Sequence, residues 1–338
     1  MLSIGITTYK RRDFLRTLVA SILDQDCDEF EVLIGNDCTE DPISAAAPGL
    51  ADGRIKIINH PENLGELGNM NALLHRASGS HFTWMADDDM LAPGFIRSAM
   101  STIAENPGIK CIYTGFTEFS DDSGLVRTKN PQTSSFQASV ISGKEFVRGF
   151  WTAKIRVIGT SGIFDVAWLK GAGGLKKLSS SRFALYSEYE LVLRAAALDR
   201  VAYINQPLVL YRNYPESWGA SNTEARLYVE AGISLTRAGA RHLSIPALAG
   251  DFRKNIRALM RMCLYYISGK NLQTGKPQPF RDGLEYLIGV WKPVTSFPGG
   301  TTACLLAVCT GIWLLSKVLV RTLVSGALFN NRRKCSDR

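Results

Sequence analysis

The chain has 338 residues, and its seven cysteines (Cys27, Cys38, Cys111, Cys263, Cys304, Cys309 and Cys335) include no CxxC pair. That spacing excludes a zinc cage, and the odd count argues against a disulfide framework and fits a reducing compartment. Histidine is scarce: His60, His75, His81 and His242 are scattered and form no ligand set. No GxGxxG or Walker-type glycine loop follows any apolar run, which counts against dinucleotide and P-loop chemistry. The chain opens on the strand-like run Leu2-Ser3-Ile4-Gly5-Ile6 with no basic region ahead of an apolar core, so no cleavable leader is expected. Internal repeats are absent as well.

What is present reads as globular. Apolar residues make up 46% and charged residues 21%, so a chain of this length is expected to fold as one or two domains. The net charge of +8 is unevenly placed: residues 251–338 hold fourteen Lys/Arg against four Asp/Glu, which leaves the first 250 residues at −2. A nucleic-acid groove would spread its positive charge through the fold with interleaved aromatics. Here the charge lies beside an apolar run, which points to anionic lipid and not to nucleic acid. Thr301 to Ser316 is uncharged for sixteen residues, short of the roughly 20 needed to span a bilayer. Lys317 and Arg321 then interrupt a continuing apolar pattern to Phe329. An interfacial helix over about 301–329 is therefore expected on the inner face of the cell membrane, with a buried core helix as the alternative.

Short apolar runs alternate with amphipathic stretches through the first 115 residues. Strands are expected at Leu2–Thr7, Phe30–Ile34, Ile55–Ile58 and Phe82–Ala86, and helices at Arg12–Asp24, Leu67–Ala77 and Phe95–Asn106. This alternation implies a parallel sheet covered on both faces, with ligands beyond the carboxyl ends of its strands. Further on, the pattern suggests a hairpin or loop at Asp121–Gly124, a strand at Ile158–Phe164, a helix at Ser187–Ala197 and a strand at Pro207–Arg212. Helical patterns dominate from Glu224, with Ile256, Leu259, Met260, Cys263 and Leu264 on one face and Arg253, Arg257 and Arg261 on the other.

The polar residues after the strands are the ones to weigh, above all Asp87-Asp88-Asp89 at the end of the run His81–Ala86. Carboxylates crowded at the end of a buried strand repel one another and lose hydration unless a cation neutralises them. The alternative is a turn and helix start before Ala92-Pro93-Gly94.

Five segments in order, ITTYKRRDFLRTLVASILDQ, VLIGNDCTED, NLGELGNMN with ALLHRASG, WMADDDMLAP and YSEYELVLRAA, resemble the family 2 glycosyltransferases of bacterial polysaccharide synthesis. The resemblance covers roughly residues 2–212 and implies an α/β fold. That fold is a GT-A nucleotide-sugar-binding, Rossmann-like, mostly parallel sheet flanked by helices, with a helical C-terminal extension. Domains are expected at 1–222 (catalytic) and 223–338 (helical extension). The implied donor is a UDP- or dTDP-sugar, the implied acceptor a hydroxyl of a glycan or lipid-linked glycan, and the implied cofactor Mg2+ or Mn2+.

Residue by residue, the resemblance places Asp88 as metal ligand with Asp89 beside it, and Asp87 next to them as a donor contact. Asp37 corresponds to the carboxylate that reads the nucleotide base, Tyr9 to the aromatic beside that base, and Thr7 to the strand end next to it. Asn63, Gly65 and Asn71 belong to the donor-side loop and helix, and Arg212 to a diphosphate contact. Glu188 takes the place of the base that deprotonates the acceptor hydroxyl, implying inversion by single displacement. Ala86 stands where the family has its first Asp, and Tyr214 where it often has a metal-binding His. Three alternatives stay open: Glu188 as a solvated carboxylate paired with Arg194 or Lys177, a degenerate member that binds sugar nucleotide without turnover, and a sugar-phosphate nucleotidyltransferase.

Overall fold

The computed structural model describes residues 1–120, 138–217, 221, 224–244, 250–273 and 279–309. The chain divides into two compact units, residues 1–177 with 181–220, and residues 178–180 with 221–338.

The first unit is built on a nine-stranded sheet: β1 (Leu2–Thr8), β2 (Phe30–Asn36), β3 (Ile55–Asn59), β4 (His81–Ala86), β5 (Met90–Leu91), β6 (Cys111–Phe119), β7 (Ser139–Ile141), β8 (Ile163–Asp165) and β9 (Val201–Arg212). The order is β3-β2-β1-β4-β8-β6-β9-β5, with β7 paired to β9. Strands β3, β2, β1 and β4 run parallel, as does β6 with β9, while β8, β5 and β7 join antiparallel. The expected α/β architecture with a mostly parallel nucleus is present.

Its helices are α1 (Arg12–Leu23), α2 (Gly65–Arg76), α3 (Phe95–Glu105), α4 (Gly143–Trp151), α5 (Val166–Gly171) and α6 (Ser187–Arg194), the last continued by a 3-10 turn at Ala195–Ala197. Leu15, Leu18, Val19 and Ile22 of α1 and Phe95, Ile96 and Ala99 of α3 join Leu2, Ile4, Ile6, Phe30, Val32 and Ile34 in one buried cluster. These strand residues alternate at period two, so one sheet face meets the two amphipathic helices. On α2, Leu73 and Leu74 are fully buried, and the Trp84 indole of β4 donates to the Met70 carbonyl at 2.8 Å. Beneath the sheet, Glu31 accepts from Ser3 Oγ at 2.6 Å, Ser78 N at 2.8 Å, Ser78 Oγ at 2.6 Å and Lys56 Nζ at 2.8 Å. Burial raises its pKa, but these donors outweigh that and bring it down to about 2.

Two expected elements differ in extent. Helix α2 begins at Gly65, not Leu67, because Gly65 turns the chain with φ +73°, where a Cβ would lie 2.9 Å from the Arg182 carbonyl oxygen. The strand expected at Ile158–Phe164 is realised only at its end, as β8 (Ile163–Asp165), and at Gly159 the backbone lies so close to that of Glu188 that a Cβ would not fit. The loop expected at Asp121–Gly124 lies outside the described residues.

The second unit holds α7 (Ala225–Leu243), α8 (Phe252–Gln273) and α9 (Pro279–Thr295), followed by helical residues 300–309. Ile256, Leu259, Met260, Cys263 and Leu264 are buried and Arg253 and Arg261 exposed, as their spacing predicts. Thr236 Oγ1 and Tyr286 Oη hydrogen-bond at 2.8 Å inside this bundle. Leu284, Ile288 and Trp291 share one outer face of α9 and are exposed. No described helix is long and apolar enough to cross a membrane. The apolar segment expected at 301–329 lies outside the described residues from 310 onward.

Candidate functional site

Strands β1, β2 and β4 end in register, with Thr8 opposite Asn36 and Thr7 opposite Ala86. Their polar extensions are therefore delivered to one edge, as parallel sheets require. Asp87 is 3% exposed there and accepts from Thr8 Oγ1 at 2.7 Å and Arg11 Nη1 at 3.3 Å. Asp88 Oδ2 accepts from Arg11 Nη1 at 2.9 Å and Tyr214 Oη at 2.7 Å. Arg212 donates Nε to the Asp88 carbonyl at 2.7 Å and its backbone N–H to Asp89 Oδ1 at 2.9 Å. The Arg212 guanidinium lies over Phe14 and Phe119, 4.7 and 4.5 Å from the ring centroids, so its plane is locked. The triplet is thus held by β9 from one side and by β1 and the start of α1 from the other.

Burial dominates the titration of this cluster. It pushes Asp87 up to about 6, against the opposing pull of Thr8 and Arg11. Burial and then the charge of Asp88 push Asp89 well above the usual carboxylate range. Three carboxylates here face two arginines, Arg11 beside Asp87 and Asp88 and Arg212 beside Asp88 and Asp89, so the cluster has room for a further cation and disfavours further negative charge.

Among the described residues no three His, Cys, Asp or Glu side chains form a preformed metal cage. Asp88 nevertheless presents Oδ1 without a hydrogen-bond partner among the described residues, and its side chain is 15% exposed. One carboxylate oxygen completed by substrate phosphates and water is a common way to hold Mg2+, so the donor set fits such an ion. Asp89 is the more enclosed of the two expected ligands, with Oδ1 already tied to β9.

On the neighbouring strand, Asp37 is 5% exposed and its Oδ1 accepts from Leu64 N at 2.7 Å. Asn63 Nδ2 donates to the Asp37 carbonyl at 3.1 Å, and Asn63 Oδ1 accepts from Gly65 N at 3.1 Å and from Arg182. Tyr9 is 48% exposed at the end of β1 with Lys10 Nζ 5.3 Å from its ring, and Thr7 is half-buried beside it. Asn71 is placed differently: its amide donates to the Leu175 carbonyl at 3.1 Å and accepts from Leu175 N at 2.9 Å. Both of its polar atoms therefore clamp the 175 segment.

Glu188 sits in the first turn of α6, two residues after Tyr186, whose φ of +62° is unusual for a side chain with a Cβ. Its carboxyl is pushed up to about 7, first by burial and then by Glu66, although the Gly159 amide opposes the rise. Arg194 does not neutralise it. That guanidinium pairs with Glu190 at 2.5 Å, both side chains being nearly fully buried. The pairing of Glu188 with Arg194 is thereby corrected: at i,i+4 on the same helix, Glu190 is the residue that Arg194 reaches.

Thr8, Arg11 and Glu66 belong to this site although the sequence reading did not select them. Glu66 accepts from Ala184 N at 2.8 Å, and its carboxyl is raised, first by desolvation and then by Asp88, with Arg11 opposing. Its signal was hidden by the expected start of α2 at Leu67, which left Glu66 in a loop. Arg11 could have been found as the cation three residues past β1, facing whatever ends β4.

Residues 3–167 match the family model described as Glycosyl transferase family 2. A Bacillus subtilis (strain 168) protein named as the glycosyltransferase EpsH is 24% identical over 268 residues, 75% of this chain and 72% of that protein. The Campylobacter jejuni GalNAc(5)-diNAcBac-PP-undecaprenol beta-1,3-glucosyltransferase is 32% identical over 107 residues, 31% of this chain and 35% of that protein. Among solved structures, S. aureus TarS 1-349 in complex with UDP-GlcNAc superposes with a TM-score of 0.65 at 14% identity, covering 94% of this chain and 90% of that one. That likeness concerns the fold.

Proposed function

We propose, from the premise that this chain is a family 2 glycosyltransferase, that it moves a sugar from a nucleoside-diphosphate donor to an acceptor hydroxyl with inversion. The observation that carries this reading is the contrast between two carboxylate environments, one just past the end of β4 and one in the first turn of α6. Asp87 and Asp88 are bound by Thr8, Arg11 and Tyr214, whereas Glu188 has no cationic partner among the described residues and burial pushes its carboxyl up to about 7. A carboxylate poised near neutral pH is what proton abstraction from a hydroxyl requires.

In the proposed reaction the nucleotide base packs by Tyr9 and Thr7 and is read by Asp37, while Asn63 and Gly65 shape the donor loop. Asp88, with Asp89 beside it, would hold Mg2+ or Mn2+, which would neutralise the charge developing on the leaving diphosphate. Asp87 keeps Arg11 in place next to that charge, and Arg212 fixes the triplet. Asn71, bonded to Leu175, acts by bracing the segment ahead of α6. Glu188 takes the acceptor proton as the hydroxyl oxygen forms the new bond to the anomeric carbon and the bond to the diphosphate breaks.

The donor assignment to UDP- or dTDP-sugars rests on Asp37 and is supported by UDP-GlcNAc bound to TarS. A glycan or lipid-linked acceptor is supported by the undecaprenol-linked substrate in the name of the Campylobacter relative. We assign the catalytic part to residues 1–222 and a membrane-surface role to 223–338. The exposed Leu284, Ile288 and Trp291 and the basic surplus of 251–338 support contact with anionic lipid in cell-surface polysaccharide synthesis. The testing experiment is nucleoside-diphosphate release from a panel of sugar nucleotides with Mn2+. Wild type should turn one over and Glu188→Gln should not, and equal rates would refute the assignment.

A further inference from the structure

We infer that Glu66 is a positioning residue that holds the segment leading into Glu188 and sets the electrostatic conditions under which Glu188 accepts a proton. The inference rests on Glu188 being the base, and it assigns the first turn of α2 a part in acceptor activation.

The first turn of α2 and the residues leading into it touch the segment ahead of α6 at three places. The Glu66 carboxylate accepts the Ala184 amide at 2.8 Å, Asn63 Oδ1 accepts from the Arg182 guanidinium, and Gly65 packs on the Arg182 carbonyl where no Cβ would fit. Ala184 is itself the carbonyl that receives Ser187 N at 2.9 Å, so fixing residue 184 fixes the entry to α6. Tyr186, between them, has a left-handed backbone that its neighbours must impose. The tether therefore acts where the chain is least able to hold its own conformation. The same turn continues to Asp37 through Leu64 N at 2.7 Å, so donor-side and acceptor-side residues share one rigid element.

Charge gives Glu66 a second effect. It is the acidic group that raises Glu188, and Glu66 in turn responds to Asp88 and Arg11. Among the described residues the other titratable groups facing Glu188 are Tyr113 of β6 and Tyr211 of β9, both raised by burial and neutral near pH 7, while Glu190 on its own helix is neutralised by Arg194. Glu66 is thus the charged neighbour that is free to tune the base. Removing its negative charge stabilises the Glu188 carboxylate and moves its titration to lower pH.

Two substitutions separate tether from charge. Glu66→Gln keeps an oxygen for the Ala184 amide and removes the charge, whereas Glu66→Ala removes both. The readouts are the pH profile of kcat/KM for UDP release, with the UDP-sugar that wild type turns over, and amide hydrogen exchange of residues 184–188. For Glu66→Gln the ascending limb should move to lower pH, giving about twofold or more of plateau activity at pH 6 relative to wild type, with exchange unchanged. For Glu66→Ala the limb should move likewise, the plateau should fall about fivefold, and exchange at 184–188 should accelerate. A Glu66→Gln limb that coincides with wild type, or unchanged exchange in Glu66→Ala, overturns the inference. Glu188→Gln run alongside separates the two levels: loss of turnover there with an unmoved Glu66→Gln limb sinks this inference alone, while full turnover in Glu188→Gln sinks the base assignment and this inference with it.

Discussion

Glu188→Gln should do opposite things to rate and stability, and both effects follow from one shifted carboxyl. Its titration near 7, against an ordinary 4.5, means that the folded protein binds a proton there more tightly than the unfolded chain does. With the folded pKa raised, the carboxyl's full contribution to stability is present below about pH 4.5 and is lost as pH rises through 7. The difference of 2.5 units corresponds to at most about 3 kcal/mol, and partial solvent access reduces it to roughly 1–3 kcal/mol. Gln does not titrate, so the variant should match or trail wild type at pH 4.5 and exceed it by that amount at pH 8.5. Urea unfolding of both proteins at the two pH values measures this directly. Meanwhile kcat at pH 8.5 should fall about 10²–10⁴-fold, the ordinary value of a general base. Wild-type kcat/KM should drop about tenfold per unit below pH 7. A stability difference that does not change between pH 4.5 and 8.5 would refute the reasoning, because Glu188 would then ionise as easily folded as unfolded.

Other outcomes follow from neighbouring contacts. Arg194→Met should destabilise by about 3–5 kcal/mol in chemical denaturation by leaving Glu190 buried and unpaired, the opposite direction to Glu188→Gln at pH 8.5. Glu31 lies low at about 2 through Lys56, Ser3 and Ser78, so it contributes stability above pH 4.5 that is lost as pH falls toward 2, and Glu31→Gln should flatten that acid limb. Asp88→Asn should weaken UDP binding in the presence of Mn2+ at least about tenfold by calorimetry, with little change in EDTA. Gly65→Ala should cost about 1–2 kcal/mol, since φ +73° and the Arg182 carbonyl both oppose a Cβ.

What could be read in the sequence was whatever depends on local pattern. The four parallel strands and their helices follow from period-two and period-3.6 apolar spacing, and the placing of polar residues at strand ends follows from the sheet. Glu188 could be separated from Glu190 only by motif, because both are acidic residues in one helical turn. The structure distinguishes them physically: Arg194 takes Glu190 and leaves Glu188. Glu66 was missed because a positive-φ glycine extends α2 by two residues, and glycine carries no apolar signal. Asn71 is bonded to Leu175 across 104 positions of chain, a pairing that no local rule contains. Ile158–Phe164 has strand-like residues, yet only its end forms β8, and the close approach of Gly159 to Glu188 is a long-range contact that no local pattern contains.

The central claim is that the Asp88 end and Glu188 belong to one glycosyl-transfer site. It is tested most directly by following nucleoside-diphosphate release from UDP-sugars in the presence of Mn2+, with wild type and Glu188→Gln side by side. The account predicts release by wild type and its loss in the variant. Equal release by both, or pyrophosphate formed from a sugar phosphate and a nucleoside triphosphate in its place, would contradict it.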